Sequence, residues 1–187
     1  MSDAVQVAQS LAAALDAANC EYALGGAIAL GFWGTPRGTL DVDVTLFLPA
    51  DQPTACVRLL QQIGCNVVAD RAMRSLSEHG FCQVEFFGRR VDVFLPLIPF
   101  YDLARLRRQV VLLGGQSVKI WDAETLCVFK MMFFRRKDLA DVEQVLRSRG
   151  SDFDRAWVRT QLVEMYGNRD PRISQWEELL HDTSSDD

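Results

Sequence analysis

Two acidic residues, Asp41 and Asp43, stand two positions apart in the apolar run "TLDVDVTLFLP", and a third, Asp92, stands in the similar run "RRVDVFLP". Leu40 to Leu48 reads as a strand, with Val42, Val44, Leu46 and Leu48 on one face and Asp41, Asp43, Thr45 and Phe47 on the other. Both carboxylates of the pair therefore point the same way. At an effective dielectric near 20, charges about 6 Å apart repel by about 3 kcal/mol, so the arrangement needs a compensating cation. Hard oxygen donors suit Mg²⁺, with Mn²⁺ as its substitute, held by one or two carboxylates and substrate phosphates. Asp92, at matching parity, would add a third carboxylate, enough for a two-metal clamp on an in-line displacement at phosphorus.

The glycines before the pair fit that chemistry. In "YALGGAIALGFW", Gly25-Gly26 follows a short strand and opens a helix, which offers backbone N–H groups and a positive dipole end to phosphate oxygens. Taken singly, Gly-Gly is a tight turn and Asp-x-Asp a solvated strand end. The joint order of strand, Gly-Gly, helix, Asp-x-Asp strand and later Asp points to a site.

The elements that must position these residues follow from periodicity. A helix is expected from Val5 to about Ala18, a strand at Tyr22 to Leu24 and a short helix from Ala27 to Phe32, closed by "GTPRG". Pro53 and Gly64 bracket another helix, followed by a short strand at Asn66 to Val68. "CQVEFFGRRVDVFLP" reads as a hairpin turning at Gly88-Arg89-Arg90, and "QVVLLGGQSVKI" as one turning at Gly114-Gly115, with a helix near Tyr101 to Arg108 between them. Asp122 can cap a helix over "AETLCVFKMMFF", and further helices are expected at Lys137 to Ser148, Phe153 to Tyr166 and Arg172 to His181. The fold class is α/β (α+β): a mixed-sheet core over 1–121, a helical region packed on it over 122–182, and a frayed acidic tail over 183–187.

Composition narrows the function. With 187 residues, 49% hydrophobic and 24% charged, the chain is long enough for a real core and unlike a disordered one. Its formal net charge of −5 argues against non-specific coating of nucleic acid. Five cysteines without CxxC spacing signal neither a disulfide framework nor a zinc knuckle, so reduced, buried thiols in a cytoplasmic protein are expected. The N-terminus lacks a basic region and no apolar run reaches about 18 residues, so neither signal peptide nor membrane span is expected.

The run "LGGAIALGFWGTPRGTLDVDV" resembles the signature of the nucleotidyltransferase superfamily with a DNA polymerase beta-type core, and within it the small bacterial enzymes of the abortive-infection toxin type. Gly25, Gly26, Gly34, Pro36, Arg37, Thr39, Asp41, Asp43 and Asp92 match that pattern, and Lys130, Lys137, Asp138 and Asp141 match the helical motif that follows it. The resemblance covers roughly Glu21 to Leu146. Ala27 stands where many members carry Ser or Gly, which leaves no hydroxyl for the triphosphate at that point.

The resemblance implies a nucleotidyltransferase core with a C-terminal helical region. Asp41, Asp43 and Asp92 would be catalytic and metal-binding; Gly25, Gly26, Arg37, Thr39, Lys130, Lys137 and Asp138 would bind an NTP. Lys130, the sole charge in "TLCVFKMMFF", needs a triphosphate or a carboxylate such as Asp138, unless it snorkels. Arg37 would reach a phosphate or pair with Asp41 or Asp43. Asp138 and Asp141 suit a helix start by the dipole alone. The Arg89-Arg90, Arg105/Arg107/Arg108 and Arg135-Arg136-Lys137 clusters would guide RNA if they converge, and are otherwise solvated surface. Three functions compete: a toxin-like enzyme acting on tRNA, with an antitoxin partner; an aminoglycoside-type antibiotic nucleotidyltransferase; and a non-catalytic nucleotide-binding module.

Overall fold

The computed structural model describes residues 3–184. It divides into a sheet unit, Met1–Ile28 with Gly38–Trp121, and a helical unit, Ala29–Arg37 with Asp122–Asp187. Residues 185–187 of the expected tail lie outside the described residues, and its first two positions belong to a helix.

The sheet unit carries six strands in the order β3-β4-β2-β1-β6-β5: β1 (Tyr22–Leu24), β2 (Asp41–Leu46), β3 (Phe81–Phe86), β4 (Arg89–Phe94), β5 (Gln109–Leu113) and β6 (Gln116–Ile120). β2 runs antiparallel to β1 and parallel to β4. A parallel neighbour cannot be reached by a hairpin, so α3 (Pro53–Gln62), α4 (Ala69–His79) and β3 fill the crossover. The sheet is mixed, as the α/β expectation required.

Its core is the apolar side of that alternation. Val42, Val44 and Leu46 of β2, Val91 and Val93 of β4 and Cys82, Val84 and Phe86 of β3 are all buried. Helix α1 (Ala4–Ala17) adds the stripe Val7, Ala8, Leu11, Ala12 and Leu15 at helical spacing. The polar face carries two rows fixed by register: Asp43, Asp92 and Gln83 lie side by side on β2, β4 and β3, and Asp41, Arg90 and Glu85 form the row beside them.

Several boundaries differ from expectation. The β3–β4 turn is Phe87-Gly88, both at positive φ (49° and 74°), and Arg89 already pairs with Phe86, so Arg89 and Arg90 belong to the strand. Asn66 makes only an isolated bridge to Glu85. Helix α4, unanticipated, ends at Gly80 in the left-handed region. Helix α5 (Phe100–Arg107) and the Gly114-Gly115 turn fall where expected.

In the helical unit, Asp122 caps α6 (Ala123–Phe133) by accepting the Thr125 N–H at 2.9 Å. Every residue of α6 from Ala123 to Met131 is buried, Glu124 and Lys130 included. Helices α7 (Arg136–Arg149), α8 (Arg155–Tyr166) and α9 (Pro171–Ser184) complete the unit, with Asp154 capping α8 and Trp176 fully buried beside Phe153. Helix α2 (Gly26–Trp33) begins in the sheet unit, and its second half belongs with the helical one.

Among the described residues no helix is long and apolar enough to cross a membrane. All five cysteines are free and buried, and burial pushes the Cys56 and Cys65 thiols up to about 12, which keeps them protonated.

Candidate active site

Asp41, Asp43 and Asp92 stand on the polar sheet face as the sequence parity requires, and the parallel β2–β4 register sets Asp43 directly beside Asp92. Each carboxylate has its own local arrangement. Thr39 donates its hydroxyl to Asp41 Oδ1 at 2.6 Å. Arg90 donates from its terminal nitrogen to Asp41 Oδ2, and its Nε lies 3.2 Å from Asp92 Oδ1. Burial pushes the Asp41 carboxyl up, but the Thr39 and Arg90 hydrogen bonds and the guanidinium charge outweigh it and hold the group below the usual carboxylate range.

Asp43 is positioned by the two glycines. Gly26 opens α2 at φ +52°, and a Cβ placed on it would lie 1.8 Å from Asp43 Oδ2. Only glycine lets this carboxylate lie against the start of the helix. Gly25 is constrained on its other side, where a Cβ would come 3.2 Å from Cδ1 of the buried Trp121. Its N–H donates to the Asp43 carbonyl at 2.9 Å, so Gly25 continues the sheet ladder and offers no donor to a phosphate. That narrows the expected Gly25-Gly26 cradle to Gly26 and the first turn of α2.

Metal ligation can be tested on these donors. Among the described residues no group of three or more His, Cys, Asp or Glu side chains is gathered closely enough to hold an ion as it stands. What the Asp41 and Asp92 carboxylates share instead is a cation, the Arg90 guanidinium. Oxygen donors, partial burial and a cation shared between two of the three carboxylates fit a hard divalent ion. From sequence Arg90 reads only as half of the Arg89-Arg90 basic cluster; its parity with Asp92 two residues later is the signal for its place beside the carboxylates.

The remaining expected residues lie in the helical unit. Lys130, 4% exposed, donates to Asp141 Oδ2 at 2.5 Å, and Arg37 forms a two-pronged pair with the same carboxylate at 3.0 and 2.9 Å. The anion Lys130 needs is therefore supplied by Asp141 rather than Asp138. Arg37 is held by Asp141 as well, and it is Arg90 that pairs with Asp41. Asp138 accepts from Arg135 Nε at 2.6 Å and from the Arg135 N–H at 3.3 Å, which fastens the start of α7. Lys137 is exposed on the first turn of α7. Burial raises the Asp141 pKa, yet the hydrogen bonds and charges of Arg37 and Lys130 prevail and lower it.

No protein-family model and no curated protein sequence matches the chain. Solved structures do resemble it. An antigenic nucleotidyltransferase-like protein from Paracoccidioides brasiliensis is 19% identical, with a TM-score of 0.51 over 92% of this chain and 93% of that one. The antibiotic-resistance factor ANT(2'')-Ia is 12% identical, with a TM-score of 0.56 over 97% of this chain and 91% of that one. The same enzyme in complex with adenylyl-2''-tobramycin is 12% identical, with a TM-score of 0.54 over 97% of both chains. The chain shares its fold with these structures.

Two outcomes follow. Gly26→Ala is expected to lower stability by more than about 1 kcal/mol, through its positive φ and the clash with Asp43; an unchanged melting temperature would contradict the packing. Asp141, with its folded pKa depressed below the unfolded value of about 3.9, contributes stability present above that pH and lost as pH falls through the folded pKa. Asp141→Asn should cost about 3–5 kcal/mol at neutral pH and flatten the acid limb of the stability curve, measured by urea denaturation between about pH 7 and 2.

Proposed function

We propose that this protein transfers a nucleoside monophosphate from an NTP to an acceptor hydroxyl and releases pyrophosphate, using Mg²⁺ or Mn²⁺ held by Asp41, Asp43 and Asp92. The observation that carries this reading is the placement of Asp43 beside Asp92 on adjacent parallel strands while it lies against glycine at the start of α2. When bound, a divalent cation supplies Lewis-acid polarisation of phosphoryl oxygens and offsets charge on the leaving group.

The chain's own residues supply the rest. The first turn of α2 presents its positive dipole end to the triphosphate. Thr39 fixes the Asp41 carboxylate by its short hydrogen bond. The acceptor oxygen attacks the α-phosphorus in line; a new P–O bond forms, the bond to pyrophosphate breaks, and the hydroxyl proton passes to the Asp92 carboxylate. The sheet unit alone provides these groups, and Arg37, Lys130, Lys137 and Asp138 enter no step.

The acceptor is read as a polyhydroxylated small-molecule cation. The net charge of −5 favours cations over polyanions. Arg105 and Arg108, candidates for an RNA-guiding patch, are both engaged with Glu21, which reduces the positive field they could offer RNA. ANT(2'')-Ia, similar in fold, is known with an adenylylated tobramycin. A tRNA acceptor end is the competing reading, kept by the motif resemblance.

Incubation with α-labelled NTPs, Mg²⁺ and either aminoglycosides or total tRNA tests both. Label should move to the aminoglycoside, and Asp43→Ala should reduce transfer by on the order of 100-fold or more while the circular dichroism spectrum is retained. Undiminished transfer by that variant would overturn the mechanism, and label on tRNA would overturn the acceptor.

A further inference from the structure

Arg90 has no part in the mechanism above, yet its guanidinium lies on two of the three carboxylates that would hold the cation. A guanidinium and a divalent ion compete there, since both draw on the Asp41 and Asp92 carboxylates and their like charges repel. Three features make the contact reversible rather than structural. The Arg90 side chain is 51% exposed, so its ion pairs are screened by solvent and breaking them costs little. It also lines an open cleft of about 370 Å³ together with Arg71, Gln83 and Glu85, which gives it room to move. And Glu85, exposed, is its direct cross-strand partner on β3, a second carboxylate within reach on the same face.

We infer that Arg90 is an exchangeable counter-ion: it neutralises Asp41 and Asp92 in the metal-free protein and passes to Glu85 when a divalent cation takes them. Arg90 therefore sets the affinity of the carboxylate site and keeps the site folded when empty. Its role is that of a positioning residue, and it rests on the metal-dependent reading above.

The test is direct Mn²⁺ binding, followed by isothermal titration and by the electron paramagnetic resonance of free Mn²⁺, on the full chain without nucleotide. Arg90→Gln should bind Mn²⁺ tighter by on the order of tenfold, because no guanidinium has to be displaced. Glu85→Gln should bind it a few-fold weaker, since the displaced guanidinium loses its second position, and the double variant should match Arg90→Gln. Unchanged or weaker binding by Arg90→Gln, with its circular dichroism intact, would overturn the inference. A measurement on the unsubstituted protein guards against a misfolded variant: the Arg90 Nε–H resonance should shift on titration with Mg²⁺, and a static resonance at saturating ion would count against exchange. Mn²⁺ binding that needs Asp43 but ignores Arg90 would sink the exchange alone. No Mn²⁺ binding by any form would remove both this inference and the function it rests on.

Discussion

Carboxylates of one sign, set side by side on two strands of one sheet, repel each other, and much of the sheet unit's local design is a response to that repulsion. The β2–β4 register brings Asp43 beside Asp92, and the next row brings Asp41 beside Arg90. Thr39 and Arg90 hold the Asp41 charge by hydrogen bonds, and Gly26 gives up its Cβ so that Asp43 can lie at a helix start. The apolar residues on the other side of the same strands anchor this arrangement, because a one-residue slip would exchange the two faces.

The helical unit solves a related problem with the opposite sign. Lys130 lies on a helix that is buried on nearly every side, where a lone ammonium would carry a large desolvation cost. Asp141, also buried, accepts from it and from Arg37, so one carboxylate ties α6, α7 and the segment after α2. Three of the charges that resembled a nucleotide-binding set, Arg37, Lys130 and Asp138, take part in ion pairs within that unit.

Much of this was legible in the chain. The alternation of valines with Asp41 and Asp43 gave the strand and its faces, and the parity of Asp92 placed it on the same side once β2 and β4 were paired. The pairing itself is non-local and could not be read from either segment. Helix α4 escaped because "ADRAMRSLSEH" is largely polar and buries only Ala72 and Leu76. The β3–β4 turn was misplaced because Phe87, at φ 49°, adopts a conformation that side chains seldom take, and glycine alone marked the turn. Lys130 was seen to need an anion, yet its choice of Asp141, eleven residues on and in a different helix, depends on how α6 packs against α7. The Asp41 partner of Arg90 and the Asp43 partner of the Gly25 N–H were missed for a common reason: both lie on the neighbouring strand β2.

Titration calorimetry with a non-hydrolysable NTP analogue decides whether the sheet face binds a nucleotide through a metal held by its carboxylates. Binding is expected in the presence of Mg²⁺, and its loss with chelator and in Asp43→Ala. Equal binding with and without the metal, or none under any condition, would contradict metal-mediated binding.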